Sequence, residues 1–201
     1  MKESNRFERE WENFLNPQLL RANLLAASLY ITAFETLKGR IVDRLREFFL
    51  YWDSDGNLRP RDEYREEVLD RNKSLLYASL SWHLEMEALA PEDLELFDKI
   101  KSYRNQLSHE LPNFLAQGIS SEYESNFHEM IALLNKIETW WIVFFDIPID
   151  SEFDGLEIDR DKIIPWSVLM LNLMLKMAFG SDEEAWELYN SIRNATPTSS
   201  V

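Results

Sequence analysis

An all-α fold is predicted by three observations. Glycine (5) and proline (7) are scarce in a chain of 201 residues, which favours long uninterrupted helices over turn-rich β architecture. The stretch QLLRANLLAASLYITAFETLKGRIVDRLREFFLYW keeps apolar residues at spacings of three and four for over thirty residues. Later segments carry helix-start signals: Pro91 is followed by Glu92 and Asp93, and Ser181 is matched by Glu184 as a capping box. The length suits a single domain over residues 1–201, and the pattern predicts a bundle of four main helices with additional peripheral helices.

The elements follow in chain order. A short opening helix, about 5–15, stops before Pro17. The long helix from Gln18 presents Leu24, Ala27, Ile31, Phe34, Ile41, Leu45 and Phe48 as its apolar stripe. WDSDGNLRP then breaks the pattern with turn residues. It looks superficially like a calcium loop, but a loop beginning at Asp53 would want glycine at its sixth position and glutamate at its twelfth, where this chain has Leu58 and Tyr64. A charged helix over 61–70 and a helix in NKSLLYASLSWHLEMEAL precede Pro91, and the helix that Pro91 opens must finish near Pro112. The next runs from about Ser121 to Phe145, its Ile137, Trp140, Trp141, Phe144 and Phe145 reading as core. Residues 146–193 hold an acidic connection and two final helices, about 165–179 and 182–193; 194–201 read as a flexible tail.

Composition limits the chemistry. Without cysteine there is no disulfide, no cysteine-ligated zinc and no thiol nucleophile. The N-terminus is charged where a signal peptide would be apolar, and IIPWSVLMLNLMLKMAF is interrupted by Pro165, Asn172 and Lys176, so the reading is a cytoplasmic protein with no membrane partner. The Asn194-Ala195-Thr196 sequon is then a chance match. A net charge of −15 opposes broad nucleic-acid binding. The charge is unevenly spread: residues 38–73 carry nine basic and nine acidic side chains, whereas 121–160 carry two and ten. A polyanion would therefore meet the helices of 38–73 rather than 121–160.

SYRNQLSHELP, residues 102–112, holds the candidate chemistry. Arg104 and His109 lie about 7.5 Å apart along a helix axis and roughly 140° around it, so they share one cleft only at a helix edge. A helix C-terminus favours a protonated imidazole, which suits His109 to general acid or base work. Arg104 supplies a planar, permanently charged fork for a phosphate, and Asn105 an amide that can fix either side chain. Glu35, bordering the stripe of the long helix, wants a partner, and either Arg104 or Lys38 at i, i+3 would serve. His83 and His128 read as packed or surface imidazoles. No H-E-x-x-H, glycine-rich phosphate loop or paired-carboxylate spacing is present, so no metal and no cofactor is expected.

RNQLSH, residues 104–109, resembles the R-N-x-x-x-H form of the R-x4-6-H motif of HEPN domains, a helical family of higher eukaryote and prokaryote nucleotide-binding proteins. The looser motif is expected about 0.6 times by chance in this chain, and the asparagine and fixed gap cut that to around 0.01. The resemblance covers about residues 20–145 and implies a HEPN-like four-helix bundle core. It further implies a metal-independent endoribonuclease of the toxin or abortive-infection kind, a homodimer that brings two motifs together, RNA as substrate and an antitoxin protein as partner. Arg104 and His109 would be the active pair, supported by Asn105. Some relatives carry a tyrosine two residues beyond the histidine, where this chain has Leu111. The alternative is a noncatalytic HEPN-like interaction module in which the same residues only hydrogen-bond.

Overall fold

The chain folds around one long central helix. The computed structural model describes residues 2–195 apart from 154 and 157; the tail from 196, with the last residue of the sequon, lies outside them. Helix α1 (Lys2–Leu15) is separated from α2 (Pro17–Phe48) by Asn16 alone. The Asn16 side chain accepts from the backbone N–H groups of Gln18 (3.0 Å) and Leu19 (3.3 Å), and Pro17 fills the first turn of α2, where its missing donor costs nothing. The 32 residues of α2 span about 48 Å.

Two short strands, β1 (Leu50–Trp52) and β2 (Leu58–Pro60), pair antiparallel with Tyr51 opposite Arg59. Helices α3 (Asp62–Glu67), α4 (Leu75–Glu85), α5 (Pro91–His109), α6 (Leu111–Gln117) and α7 (Ser121–Trp141) follow. After a π-helical turn over Ile142–Asp146 come one turn, α8 (Ile147–Ile149), and the final helices α9 (Trp166–Phe179) and α10 (Asp182–Ala195). Helix α2 packs against α4, α5, α7 and α9, and also touches α1 and α6.

The core condenses on α2. Tyr30, fully buried, sits among the rings of Tyr103, Tyr123 and Phe127, and Phe34 stacks on Phe97 at 5.9 Å. Trp82 and Trp141 stack at 5.9 Å and 12°, joining α4 to α7. Two buried polar side chains find backbone partners: Asn23 donates to the Leu115 carbonyl (3.0 Å) and Tyr123 to that of Ala26 (2.8 Å). Burial raises the pKa of both the Tyr30 and Tyr123 phenols well above the ordinary tyrosine value.

Several sequence expectations are corrected here. The buried stripe of α2 runs through Asn23, Ala26, Tyr30, Ala33 and Leu37 as well as Ala27, Phe34, Ile41 and Leu45, while Leu24 and Phe48 are exposed. WDSDGNLRP is a turn as expected, at 53–57, and its flanks pair as the strands of a hairpin. Asp53 holds it by accepting from the N–H groups of Asp55 and Asn57 and pairing with Arg59 at 2.7 Å, and Gly56 takes a φ of +76°. Pro112 does not merely end α5: the chain bends at Glu110 and restarts as α6 with Pro112 in its first turn. The expected single helix over 121–145 changes to π geometry at Ile142. Pro148 supplies the cause, since it lacks an N–H and its ring crowds the carbonyl four residues back. Of the aromatics at this end, Trp141 is buried and Phe144 exposed. The acidic connection holds short helical turns and no strand among its described residues, and α10 runs past 193 to Ala195.

The Ser181–Glu184 capping box forms as expected, with the Ser181 N–H donating to the Glu184 carboxylate (2.9 Å) and the Glu184 N–H to the Ser181 hydroxyl (3.2 Å). Among the described residues one segment, Arg160–Phe179, is long and apolar enough to cross a membrane by length and composition. Its helical part, α9, is 14 residues or about 21 Å, shorter than a bilayer core of about 30 Å. Val168 and Leu171 of α9 are buried, and the helix packs on α2 and α7.

Candidate functional site at the C-terminal half of α5

Helix α5 turns Phe97, Ile100 and Leu107 into the core. Arg104 falls at the edge of that face, against α2, and its side chain is 29% exposed. Its Nη2 meets Glu35 Oε1 at 2.8 Å, and its guanidinium carbon lies 5.5 Å from the centroid of the Phe34 ring. Glu35 also accepts from Lys38 at 3.2 Å, so the two partners considered for it from the sequence are held together. Arg104 Nη1 donates to the Asn105 side-chain Oδ1 at 3.4 Å, and Ser108 Oγ donates to the Arg104 backbone carbonyl at 3.0 Å.

Three of the four candidates, Glu35, Arg104 and Asn105, therefore meet. His109 stands apart from them on the last turn, exposed, its side chain making no hydrogen bond or ion pair to the described residues. It lies where the unsatisfied carbonyls of α5 present partial negative charge. Chemically, the arrangement offers a clamped cation, an adjacent amide and an accessible imidazole along one helix end.

Two neighbouring features escaped the sequence reading. One is Phe34, which floors the guanidinium. The other is a cluster one turn earlier on α5, where Tyr77 of α4 donates to Asp98 at 2.5 Å and Lys101 donates to the Tyr77 hydroxyl at 3.0 Å. Lys101 precedes Arg104 at i, i+3, the spacing that could have drawn notice. A cavity of about 300 Å³ beside this end of α5 is lined by Tyr103, Gln106, Glu110, Asn113 and Ser120, but not by Arg104 or His109.

The remaining histidines are occupied differently. His83 is fully buried among Trp82, Trp140 and Trp141, with Nδ1 2.8 Å from the Ser79 carbonyl. His128 is exposed, with Nδ1 2.7 Å from the Glu124 carbonyl. Among the described residues no group of three or more His, Asp or Glu side chains could hold a metal ion.

The Arg104–Glu35 pair is open to solvent along much of its length, and such pairs contribute little to stability. Glu35→Gln should lower the unfolding free energy by no more than about 1 kcal/mol, read from urea titrations. A larger loss would make the pair a structural strut.

The fold and site thus define an all-α protein with an arginine and a histidine at the end of one bundle helix. Compared with protein-family models, with curated proteins and with solved structures, the chain matches none.

Proposed function

We propose that this protein is a metal-independent endoribonuclease of HEPN type, a toxin or antiphage effector of the cytoplasm, acting as a homodimer whose two α5 ends form one cleft. The observation that carries the reading is the Arg104 guanidinium held at 2.8 Å by Glu35 while His109 stays exposed on the last turn of the same helix. In the cleft, neutral His109 of one copy takes the proton of an RNA 2'-hydroxyl. The 2'-oxygen attacks phosphorus, and protonated His109 of the second copy gives its proton to the departing 5'-oxygen. The two Arg104 side chains steady the charge that builds on the phosphoryl oxygens. The P–O2' bond forms as the P–O5' bond breaks, leaving a 2',3'-cyclic phosphate and a 5'-hydroxyl.

Purified protein incubated with total RNA in EDTA should degrade it. Intact RNA after prolonged incubation at high protein concentration would remove the reading. A noncatalytic interaction module then stands in its place, favoured by one observation: Arg104 already spends its charge on Glu35 and Phe34.

A further inference from the structure

A second polar cavity lies outside the α5 end. It measures about 320 Å³ and is walled by Arg40 and Arg44 of α2, Glu138 and Trp141 of α7, Asp146 of the π turn and Trp166 at the start of α9. Its four charges form two pairs. Arg40 Nε meets Glu138 Oε1 at 2.5 Å, and Arg44 pairs with Asp146. The pairs differ in depth in an informative way. Glu138 is buried, and Arg44, 33% exposed, lies over the Trp141 ring at 5.5 Å, so one member of each pair is the more enclosed. The other members reach solvent: the Arg40 side chain is 41% exposed and that of Asp146 45%. Each of these groups thus has a more enclosed partner beside it.

Three further features set the cavity apart from a closed ion-pair strut. Trp166, 69% exposed, stands at its mouth with no described ring contact, although a tryptophan ordinarily buries much of its surface. Within the same wall, the Trp141 indole N–H is buried without a hydrogen-bond partner. The π turn that brings Asp146 into the wall is a device found often at functional sites.

We propose that this cavity binds a guanine base. A carboxylate beside a guanidinium over an aromatic platform matches guanine among the common bases. Guanine alone offers two adjacent N–H donors, at N1 and N2, to one carboxylate, here Asp146. Its O6 and N7 accept from an arginine fork, here Arg40. Adenine would turn its N1 lone pair towards Asp146, and the pyrimidines offer the carboxylate a single donor group. Trp166 supplies the stacking face. Arg40 and Arg44 also line a shallow groove reaching back to Glu35, so the cavity and the Arg104 end share one side of α2. A preference for cutting near guanosine would rest on the ribonuclease reading; binding of the base does not.

The test is calorimetric titration of the whole protein with guanosine 5'-monophosphate and, separately, adenosine 5'-monophosphate, with no RNA present. The guanosine nucleotide should bind at least about tenfold tighter than the adenosine one. Trp166→Ala should weaken both by about tenfold, since stacking does not distinguish bases. Asp146→Asn should abolish the preference. Both side chains reach solvent, and circular dichroism checks that the variants fold. Absence of binding at millimolar guanosine 5'-monophosphate, or equal binding of the two nucleotides by the native protein, overturns the proposal whatever the variants do. The readout needs no cleavage, so its failure is distinct from failure of the ribonuclease reading.

Discussion

His109→Ala should abolish RNA cleavage in EDTA while leaving the fold untouched. A positioned acid or base contributes about 10²–10⁴ in rate, and the substitution removes one such group from each copy, so a fall of at least about 10² is expected. His109 is exposed and its side chain makes no hydrogen bond or ion pair to the described residues. The variant's unfolding free energy should therefore stay within about 0.5 kcal/mol of the native protein's, as for surface substitutions generally. The combination is what discriminates: lost cleavage with unchanged stability marks a chemical group, whereas unchanged cleavage assigns the activity elsewhere. Arg104→Ala should also slow cleavage but is less clean, because it uncovers Phe34 and releases Glu35.

The second large effect is on stability, at His83. Burial lowers its pKa from 6.5 to about 4, and the bond to the Ser79 carbonyl only partly offsets that. Between those pH values the unfolded chain binds a proton that the folded chain refuses, so stability falls as pH drops from 6.5 towards 4. The full contribution of this one imidazole is about 3 kcal/mol. The carboxylates titrate partly in the same window, so the comparison is with His83→Phe, which keeps a ring between Trp82 and Trp140. Urea unfolding at pH 7 and pH 4.5 should show the native protein losing more stability in acid than the variant does. A pH-independent difference would mean that His83 does not refuse the proton.

These two histidines also show what the sequence could and could not tell. The spacing around α2, α5, α9 and α10 was legible because each has a local start signal or a long apolar period: the stripe of α2, Pro91 before two acids, Ser181 with Glu184. Helix α6 was not, because Pro112 reads as a stop when seen from α5 and as a start when seen from Leu111. The β hairpin was hidden because its strands have three residues each, too few for alternation to register. The partial exposure of Leu24 and Phe48 depends on how closely neighbouring elements cover α2, which periodicity along α2 does not encode.

At the candidate site, the motif residues and the need of Glu35 for a partner were visible. The guanidinium's seat was not. Phe34 is an ordinary stripe residue in sequence and becomes the floor of Arg104 only once α5 lies against α2. Likewise Tyr77, Asp98 and Lys101 meet only through the packing of α4 and α5, and Arg40 and Asp146 share a cavity across 106 residues of chain.

The most direct measurement of the central claim is the chemical nature of the ends left on a defined RNA oligonucleotide cut in EDTA, read by mass spectrometry. Attack by the 2'-oxygen under two histidines predicts a 2',3'-cyclic phosphate, or its opened monophosphate, and a 5'-hydroxyl on the partner fragment. Fragments bearing a 3'-hydroxyl and a 5'-phosphate, or cleavage that persists unchanged in His109→Ala, would contradict it.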